Sequence, residues 1–236
     1  MRLFIAPLAA GAHTVTGDEH HYVAYVRRAR IGDELEVTDG AGHVATARIT
    51  AIGAASTELA IGEVVAVVSA PPRIRALVPV IKGDRMELCL EKLVEVGVDD
   101  VIVWPATRAV VKLDGARRQA RLEQYRALAQ AAARQSGRAV IPSVELCASL
   151  ADAIALTATG DGCARVVLDP RAERAPVPTP ARELAIISGP EGGFASDELA
   201  AIAAAGFAPI GLGPRTLRAE TAPIVAVALA RATTAS

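Results

Sequence analysis

Aromatic residues are scarce in this chain, with one Trp, three Tyr and three Phe among 236 residues. A sequence that is 52% apolar must therefore build its core from Ala, Val, Leu and Ile, and the few large rings stand out. Core filling is the simplest reading of Trp104 and Phe207. Long apolar runs are also missing: none approaches the ~20 residues a membrane-crossing helix requires. The opening Met1-Arg2-Leu3-Phe4-Ile5 lacks the apolar stretch of a secretory signal. Cys89, Cys147 and Cys163 are odd in number and far apart, so neither a disulfide framework nor metal-ligand spacing is present. A reducing cytoplasm is the expected location, with no membrane and no metal.

Signatures of several chemistries are absent as well. There is no Gly-x-x-x-x-Gly-Lys-Ser/Thr phosphate loop and no Gly-x-Gly-x-x-Gly after the first strand. His13, His20, His21 and His43 all fall near the start. Ser188 is not in a Gly-x-Ser-x-Gly elbow. Hydrolysis by a nucleophilic triad is not expected.

Charge is nearly balanced, at −1 overall, but unevenly spread. Residues 1–70 carry five Arg and eight acids, whereas the window from Arg108 to Arg138 carries eight basic residues against Asp114 and Glu123. Phosphate contact depends on local clusters, so a neutral total does not exclude a nucleic-acid partner. A solvated helix face is the competing reading of the same window.

Two styles of sequence follow one another. Up to residue 70, short β-type runs at Glu34–Thr38, Val44–Ile52 and Thr57–Val68 are broken by Gly32, Asp39-Gly40, Gly42 and Gly53, which reads as a small all-β domain. Ala70-Pro71-Pro72 makes a stiff break. From residue 73, strands alternate with helices, implying a mainly parallel sheet covered on both faces. Strands are predicted at Ile74–Ile81, Val98–Trp104, Ala139–Val144, Arg165–Leu168, Leu184–Ser188 and Ala208–Leu212. Helices are predicted after Asp84, from Ala116 to Gln135, from a Ser196 cap to about Ala205, and from Thr221. Asp84 with Glu87 has capping-box spacing.

Two glycine-rich turns late in the chain each follow such a strand: Ser188-Gly189-Pro190-Glu191-Gly192-Gly193-Phe194 and Leu212-Gly213-Pro214-Arg215-Thr216-Leu217-Arg218. Turns at the C-terminal ends of strands are where an open α/β sheet binds its ligand. Glycines let backbone amides approach that ligand. Glu191, inside the first turn, would repel a pyrophosphate, so a neutral or cationic small molecule held between apolar walls fits better.

At these residues the chain resembles the RsmE family, bacterial methyltransferases acting on uridine N3 of 16S ribosomal RNA, within the SPOUT superfamily. The resemblance runs along nearly the whole chain. It begins at His21-Tyr22-Val23, Val26-Arg27-Arg28 and Gly32-Asp33, and continues at Lys82-Gly83-Asp84-Arg85-Met86-Glu87 and Glu91-Lys92-Leu93-Val94-Glu95-Val96-Gly97-Val98. Arg108-Ala109-Val110-Val111-Lys112, Gln135-Ser136-Gly137-Arg138 and the two glycine-rich turns complete it. It implies an α/β fold: a PUA-like RNA-binding β-barrel at 1–70 and a trefoil-knotted SPOUT methyltransferase domain at 73–236. It also implies a homodimer acting on 16S rRNA or the small ribosomal subunit. The implied cofactor is S-adenosylmethionine, held by Leu168, Ile187, Ser188, Gly189, Pro190, Glu191, Gly192, Gly193, Leu212, Gly213, Leu217 and Arg218.

Arg218 is expected to stabilise charge on the uracil oxygens, with Glu191 or Glu220 assisting the N3 proton. For Glu220, a carboxylate favoured by a helix N-terminus is the competing reading. Arg27, Arg28, Arg30, Arg108, Lys112, Arg117, Arg118, Arg121 and Arg138 are the expected RNA contacts. The family's last motif more often reads Leu-Arg-Thr-Glu-Thr-Ala, and here Ala219 takes the place of that Thr; Arg108-Ala109 likewise replaces Arg-Ser. Competing functions are methylation of another RNA position and a non-catalytic RNA-binding assembly factor.

Overall fold

The computed structural model describes residues 2–67, 69–107 and 115–234. Arg108 and Lys112 therefore lie outside the described residues. The chain divides into two units, residues 1–69 with 133–141, and residues 70–132 with 142–236.

In the first unit, β1 (Leu3–Phe4) and β2 (Gly11–Thr16) precede α1 (Gly17–His21) and a π-helical turn at Tyr22–Val26. Then come β3 (Glu34–Thr38), β4 (His43–Ile52), β5 (Ser56–Ile61) and β6 (Val65–Ala66). They form one curled half-barrel sheet in the order β1-β3-β4-β5-β2, with β6 beside β4. Alternation along the strands puts Val37, Ala47, Ile49, Leu59 and Ile61 into one core with Leu3, Val15 and Val23. At the β3–β4 turn the Asp39 carboxylate accepts from Ala41 N (2.7 Å) and His43 N (3.0 Å). The run expected as one strand from 57 to 68 is broken at Gly62, whose amide turns to the Thr46 carbonyl (2.9 Å).

The second unit contains β7 (Arg73–Pro79), α2 (Asp84–Glu95), β8 (Asp100–Trp104), α3 (Gly115–Ser136), β9 (Ser143–Leu146) and α4 (Leu150–Ala155). It continues through β10 (Cys163–Leu168), β11 (Glu183–Ile187), α5 (Ser196–Ala204), β12 (Ala208–Ile210) and α6 (Thr221–Thr234). The last residues of α3, from Ala133, belong to the first unit. All six strands are parallel, in the order β12-β10-β11-β7-β8-β9. The chain runs outward to β9, returns on the other side of β7 to form β10, and inserts β11 between them. Sequence periodicity carries no trace of that insertion.

Both faces of this sheet are covered. Leu77, Ile102, Trp104, Val167, Ala185 and Ile187 point one way, packing with Leu150, Ala153, Ile202 and Phe207 from α4, α5 and the turn after α5. The alternate residues face the other way, where α2 and α6 pack on each other and α6 packs on β7 and β11. β8 and β11 are buried along their whole length, so they read as apolar runs.

Three local expectations change. The strand expected at Ala139–Val144 begins only at Ser143, after Pro142, which has no amide to donate. Residues 139–141 are drawn elsewhere: Thr38 Oγ1 donates to the Ala139 carbonyl (2.9 Å) and Ile141 N to the Gly40 carbonyl (2.9 Å). The α2 cap is Gly83 (φ 66°) rather than the Asp84 side chain. At α5 the N-cap is Ala195, whose amide is satisfied by the Glu198 carboxylate (2.7 Å), so Ser196 lies inside the helix.

The N-terminal ends of the strands carry a closed ion-pair network. Arg73 donates twice to Asp100 (2.5 and 2.6 Å), which also accepts from Ser143 Oγ (2.5 Å). Arg75 donates to Glu183 (2.8 Å), which accepts Ala158 N on its other oxygen (2.6 Å). Asp99 accepts from Ile74 N (2.7 Å) and from Arg231 of α6.

Candidate functional site

A cleft of about 550 Å³ opens at the opposite end of the same sheet, where β10, β11 and β12 finish. Its walls come from three segments: Leu168–Arg171 after β10, Ser188–Phe194 after β11, and Thr216–Ala219 before α6, with Arg85 and Ala222 at the edge. A small adjoining recess adds Ile210, Leu212, Gly213 and Arg215 and shares Leu168 and Leu217. The structure thus brings together Leu168, Ser188, Gly189, Pro190, Glu191, Gly192, Gly193, Leu217 and Arg218, with Leu212 and Gly213 next door. Ile187 is the exception. It is fully buried in the core beneath the loop and is not among the lining residues.

Local chemistry explains the shape. Ser188 N donates to the Leu77 carbonyl (3.0 Å), so the first loop leaves the sheet only after residue 188. Phe194 then folds back over Gly189: a Cβ added there would lie 2.9 Å from the ring. Glycine is required by that contact rather than by its own dihedral angles. The Phe194 ring stacks parallel to Trp104 at 6.1 Å, tying the loop to the end of β8. At the second loop, an added Cβ on Gly211 would meet the Ala172 carbonyl oxygen at 2.3 Å. Gly211 N donates to the Glu173 carbonyl (2.9 Å) and Ala175 N to the Gly211 carbonyl (3.3 Å). The segment after β10 is thereby laced to the segment after β12.

Glu198 adds a bracket. Its buried carboxylate accepts Ala195 N on one oxygen and Thr107 N on the other, each at 2.7 Å. The end of the glycine loop and the strap after β8 hang on one side chain. No local sequence signal marks this role, because the second partner of Glu198 is 91 residues away.

The charges divide into those at the mouth and one behind. Glu191 is partly exposed and pairs with Arg85 from the first turn of α2 (3.1 Å). Asp169 accepts Arg171 N (2.9 Å); that amide, followed by the Arg171 guanidinium, outweighs burial and holds its carboxyl below the usual range. The Arg218 side chain is 79% exposed, 3.9 Å from Glu220. Glu220 itself is buried, does not line the cleft, and leaves Oε2 without a hydrogen-bond partner among the described residues. Burial, with the Glu220 charge adding to it, pushes the Cys89 thiol on α2 up to about 12. That thiol stays protonated, so Cys89 is no nucleophile.

The cleft's composition suits an uncharged ring system with a cationic tail. Leu168, Pro190 and Leu217 offer apolar walls, the glycine loops line the cleft without side chains, and Glu191 and Asp169 bring carboxylates that Arg85 and Arg171 partly balance. Arg85, Asp169, Arg171, Phe194 and Thr216 line the cleft without having been expected as ligand contacts. Asp169 was the readable one, since it directly follows a strand.

The basic residues expected to meet RNA divide as well. Arg27, Arg28 and Arg30 are exposed in the first unit. Arg117 is exposed, but Arg118 donates to the Leu146 carbonyl and Arg121 lies over the Tyr125 ring (6.0 Å). Arg138 is half-buried. Arg126 and Arg134, from the same window, pair with Glu145 (3.2 Å) and Glu19 (2.6 Å). Part of the basic window therefore holds the fold. Among the described residues no three His, Cys, Asp or Glu side chains are grouped to hold a metal, and no helix is long and apolar enough to cross a membrane.

Comparison with known proteins gives a consistent result. Residues 68–231 match the RNA methyltransferase domain and residues 15–57 the RNA methyltransferase PUA domain. The chain is 35% identical over 226 residues to ribosomal RNA small subunit methyltransferase E of Mycobacterium bovis, covering 94% of this chain and 86% of that protein. It is 27% identical over 228 residues to the enzyme of that name from Bacillus subtilis, covering 92% and 89%. The crystal structure of ribosomal RNA small subunit methyltransferase E from Neisseria gonorrhoeae bound to S-adenosyl methionine superposes with a TM-score of 0.83. Identity there is 26%, covering 98% of this chain and 97% of that one.

Proposed function

This chain belongs to the ribosomal RNA small subunit methyltransferase E family, and from that premise we propose that it is an S-adenosylmethionine-dependent RNA methyltransferase whose target is N3 of one uridine in 16S ribosomal RNA. The observation that carries the reading is the cleft at the ends of β10–β12, which gathers eleven of the twelve residues expected to hold the cofactor into one cleft and its recess.

The cofactor, when bound, supplies an electrophilic methyl group on a sulfonium. Leu168, Pro190 and Leu217 would enclose its base, and backbone groups of Gly189–Gly193 and Leu212–Gly213 would read its polar edges. Negative charge at Glu191 and Asp169 complements its positive centre. The remaining work is alignment and proton removal. Arg218, free to reach outward, stabilises the charge that develops on the uracil oxygens. Glu191, at the mouth and in contact with solvent, accepts the N3 proton. Glu220, behind Arg218, orients that guanidinium. N3 is engaged in base pairing, so the target uridine enters unpaired.

Residues 1–70 serve in this reading as the RNA-gripping PUA-like domain and 73–236 as the methyltransferase domain, with the trefoil knot of that fold. Arg27, Arg28, Arg30 and Arg117 are the phosphate contacts best supported by exposure. The protein acts as a cytoplasmic homodimer; exposed Leu88 and Leu229, on helices α2 and α6 that pack together, support a surface that a second copy covers.

The test is modified-nucleotide mapping. Purified protein, S-adenosylmethionine and 16S rRNA or small subunits from a strain lacking the enzyme should yield a single 3-methyluridine. A methyl group on another nucleotide or on a ribose would replace the target assignment, and no methylation would leave a binding factor.

A further inference from the structure

We propose that Tyr25, backed by His21, is a stacking platform for an unpaired RNA base, flanked by the phosphate-binding arginines 27, 28 and 30. The inference rests on the RNA methyltransferase reading and gives the first unit a specific way of holding single-stranded substrate.

Tyr25 is 57% exposed, and Val26 and Ile31 are 62% and 66% exposed. In a protein with only seven aromatic residues (three Phe, three Tyr and one Trp), a ring left in solvent is not surplus core. The ring is held in place nonetheless. His21 stacks on it at 5.3 Å and 30°, and His20 meets it edge-on at 5.8 Å and 84°. His20 is only 4% exposed and is anchored by Thr57 Oγ1 of β5, 2.9 Å from its Nδ1. The platform is thus fastened to the sheet through a buried imidazole.

The backbone at this place is unusual in two ways. Tyr22–Val26 is a π-helical turn, closed by Arg27 N to the Tyr22 carbonyl (2.9 Å) and Ala29 N to the Val23 carbonyl (3.1 Å). Such turns recur at functional sites. Directly after it, Arg28 takes φ 50°, the only described non-glycine residue with positive φ. That conformation is costly for a residue with a Cβ and persists where surrounding structure enforces it.

Charge decides the occupant. Arg27, Arg28 and Arg30 are exposed, and among the described residues none of these guanidiniums is in an ion pair. Guanidiniums that no carboxylate neutralises favour a phosphate backbone as the occupant. An exposed ring beside them matches a polyanion carrying planar groups. Bases stack on aromatic rings while the backbone follows the positive charge, and only unpaired bases can be splayed out to do so.

Fluorescence anisotropy with a labelled single-stranded RNA of about 12 nucleotides, within the span such sites cover, tests the assignment. Tyr25→Phe should retain parental affinity. Tyr25→Leu, equally apolar but without a ring, should weaken binding about tenfold with an unchanged salt slope. Arg27→Gln with Arg28→Gln should flatten the salt slope. Equal affinity of parent and Tyr25→Leu, an equal loss in Tyr25→Phe, or binding of duplex but not single-stranded RNA by the parent would each overturn the platform. Calorimetric titration of the parent with S-adenosylmethionine separates this from the wider reading: absent cofactor binding contradicts the methyltransferase assignment, whatever Tyr25 does.

Discussion

The two ends of the parallel sheet carry charged side chains of the same kinds and treat them in opposite ways. At the N-terminal ends, Asp99, Asp100 and Glu183 are each met by an arginine and by at least one further donor, an amide or a hydroxyl. At the C-terminal ends, Arg218 stands mostly in solvent and, among the described residues, Glu220 keeps a buried oxygen without a hydrogen bond and Glu191 has one exposed partner. A buried charge with every valence satisfied stabilises a fold; a charge left underused at a cleft is available to a ligand. The contrast separates residues that make the sheet from residues that use it.

Removing Arg218 should sharpen the contrast most. Arg218→Ala should lower kcat by about 10²–10³ while costing at most about 1 kcal/mol of unfolding free energy, since its own side chain is mostly exposed, measured by single-turnover methylation and urea denaturation. Near-normal turnover at saturating cofactor would remove its catalytic role. Asp100→Ala should do the converse. The Arg73 side chain is 55% exposed and returns to water when its partner goes. Losing this buried acceptor of Arg73 and Ser143 should therefore cost about 1–3 kcal/mol of stability, with cofactor affinity of the folded protein unchanged in calorimetry. A large loss of affinity in that variant would break the division between the ends.

Glu198 belongs to the functional end but works structurally. Glu198→Gln can accept only one of the two amides, Thr107 N or Ala195 N, and should cost about 1–2 kcal/mol, read as a lowered thermal midpoint. The smallest effect concerns acid. Burial pushes the Asp100 carboxyl up, but Arg73, Ser143 and Arg75 outweigh it and hold it below the ordinary aspartate range. Its folded pKa is thus lower than its unfolded one, so its stabilisation is full above about pH 4 and lost as pH falls through the depressed value. The fall in stability below about pH 4 should be shallower in Asp100→Asn than in the parent; equal slopes would remove Asp100 from the acid response.

Legibility in the sequence follows the same line between local and distant. The glycine loops could be read because strand, turn and helix signals lie within a dozen residues of one another, and nearly all the expected cofactor contacts meet in the cleft. Ile187 is expected there from the family resemblance, and the pleat turns its side chain into the core beneath the loop. Arg85 was quoted as part of a motif but not as a cleft residue, since only the placement of α2 brings it to Glu191. Residues 139–141 looked like the start of a strand because they are apolar; hydrogen bonds from Thr38 and to Gly40, some hundred positions earlier, decide otherwise. The platform at Tyr25 was not seen at all, because exposure of a ring is a property of the folded surface.

A crystal structure with S-adenosylmethionine is the most direct test of the central claim. The account predicts the cofactor between Leu168, the Gly189–Gly193 loop and the Leu212–Leu217 loop, with its sulfonium facing the side where Glu191 and Arg218 stand. A cleft left empty at saturating cofactor, or the cofactor held anywhere else on the chain, would contradict it.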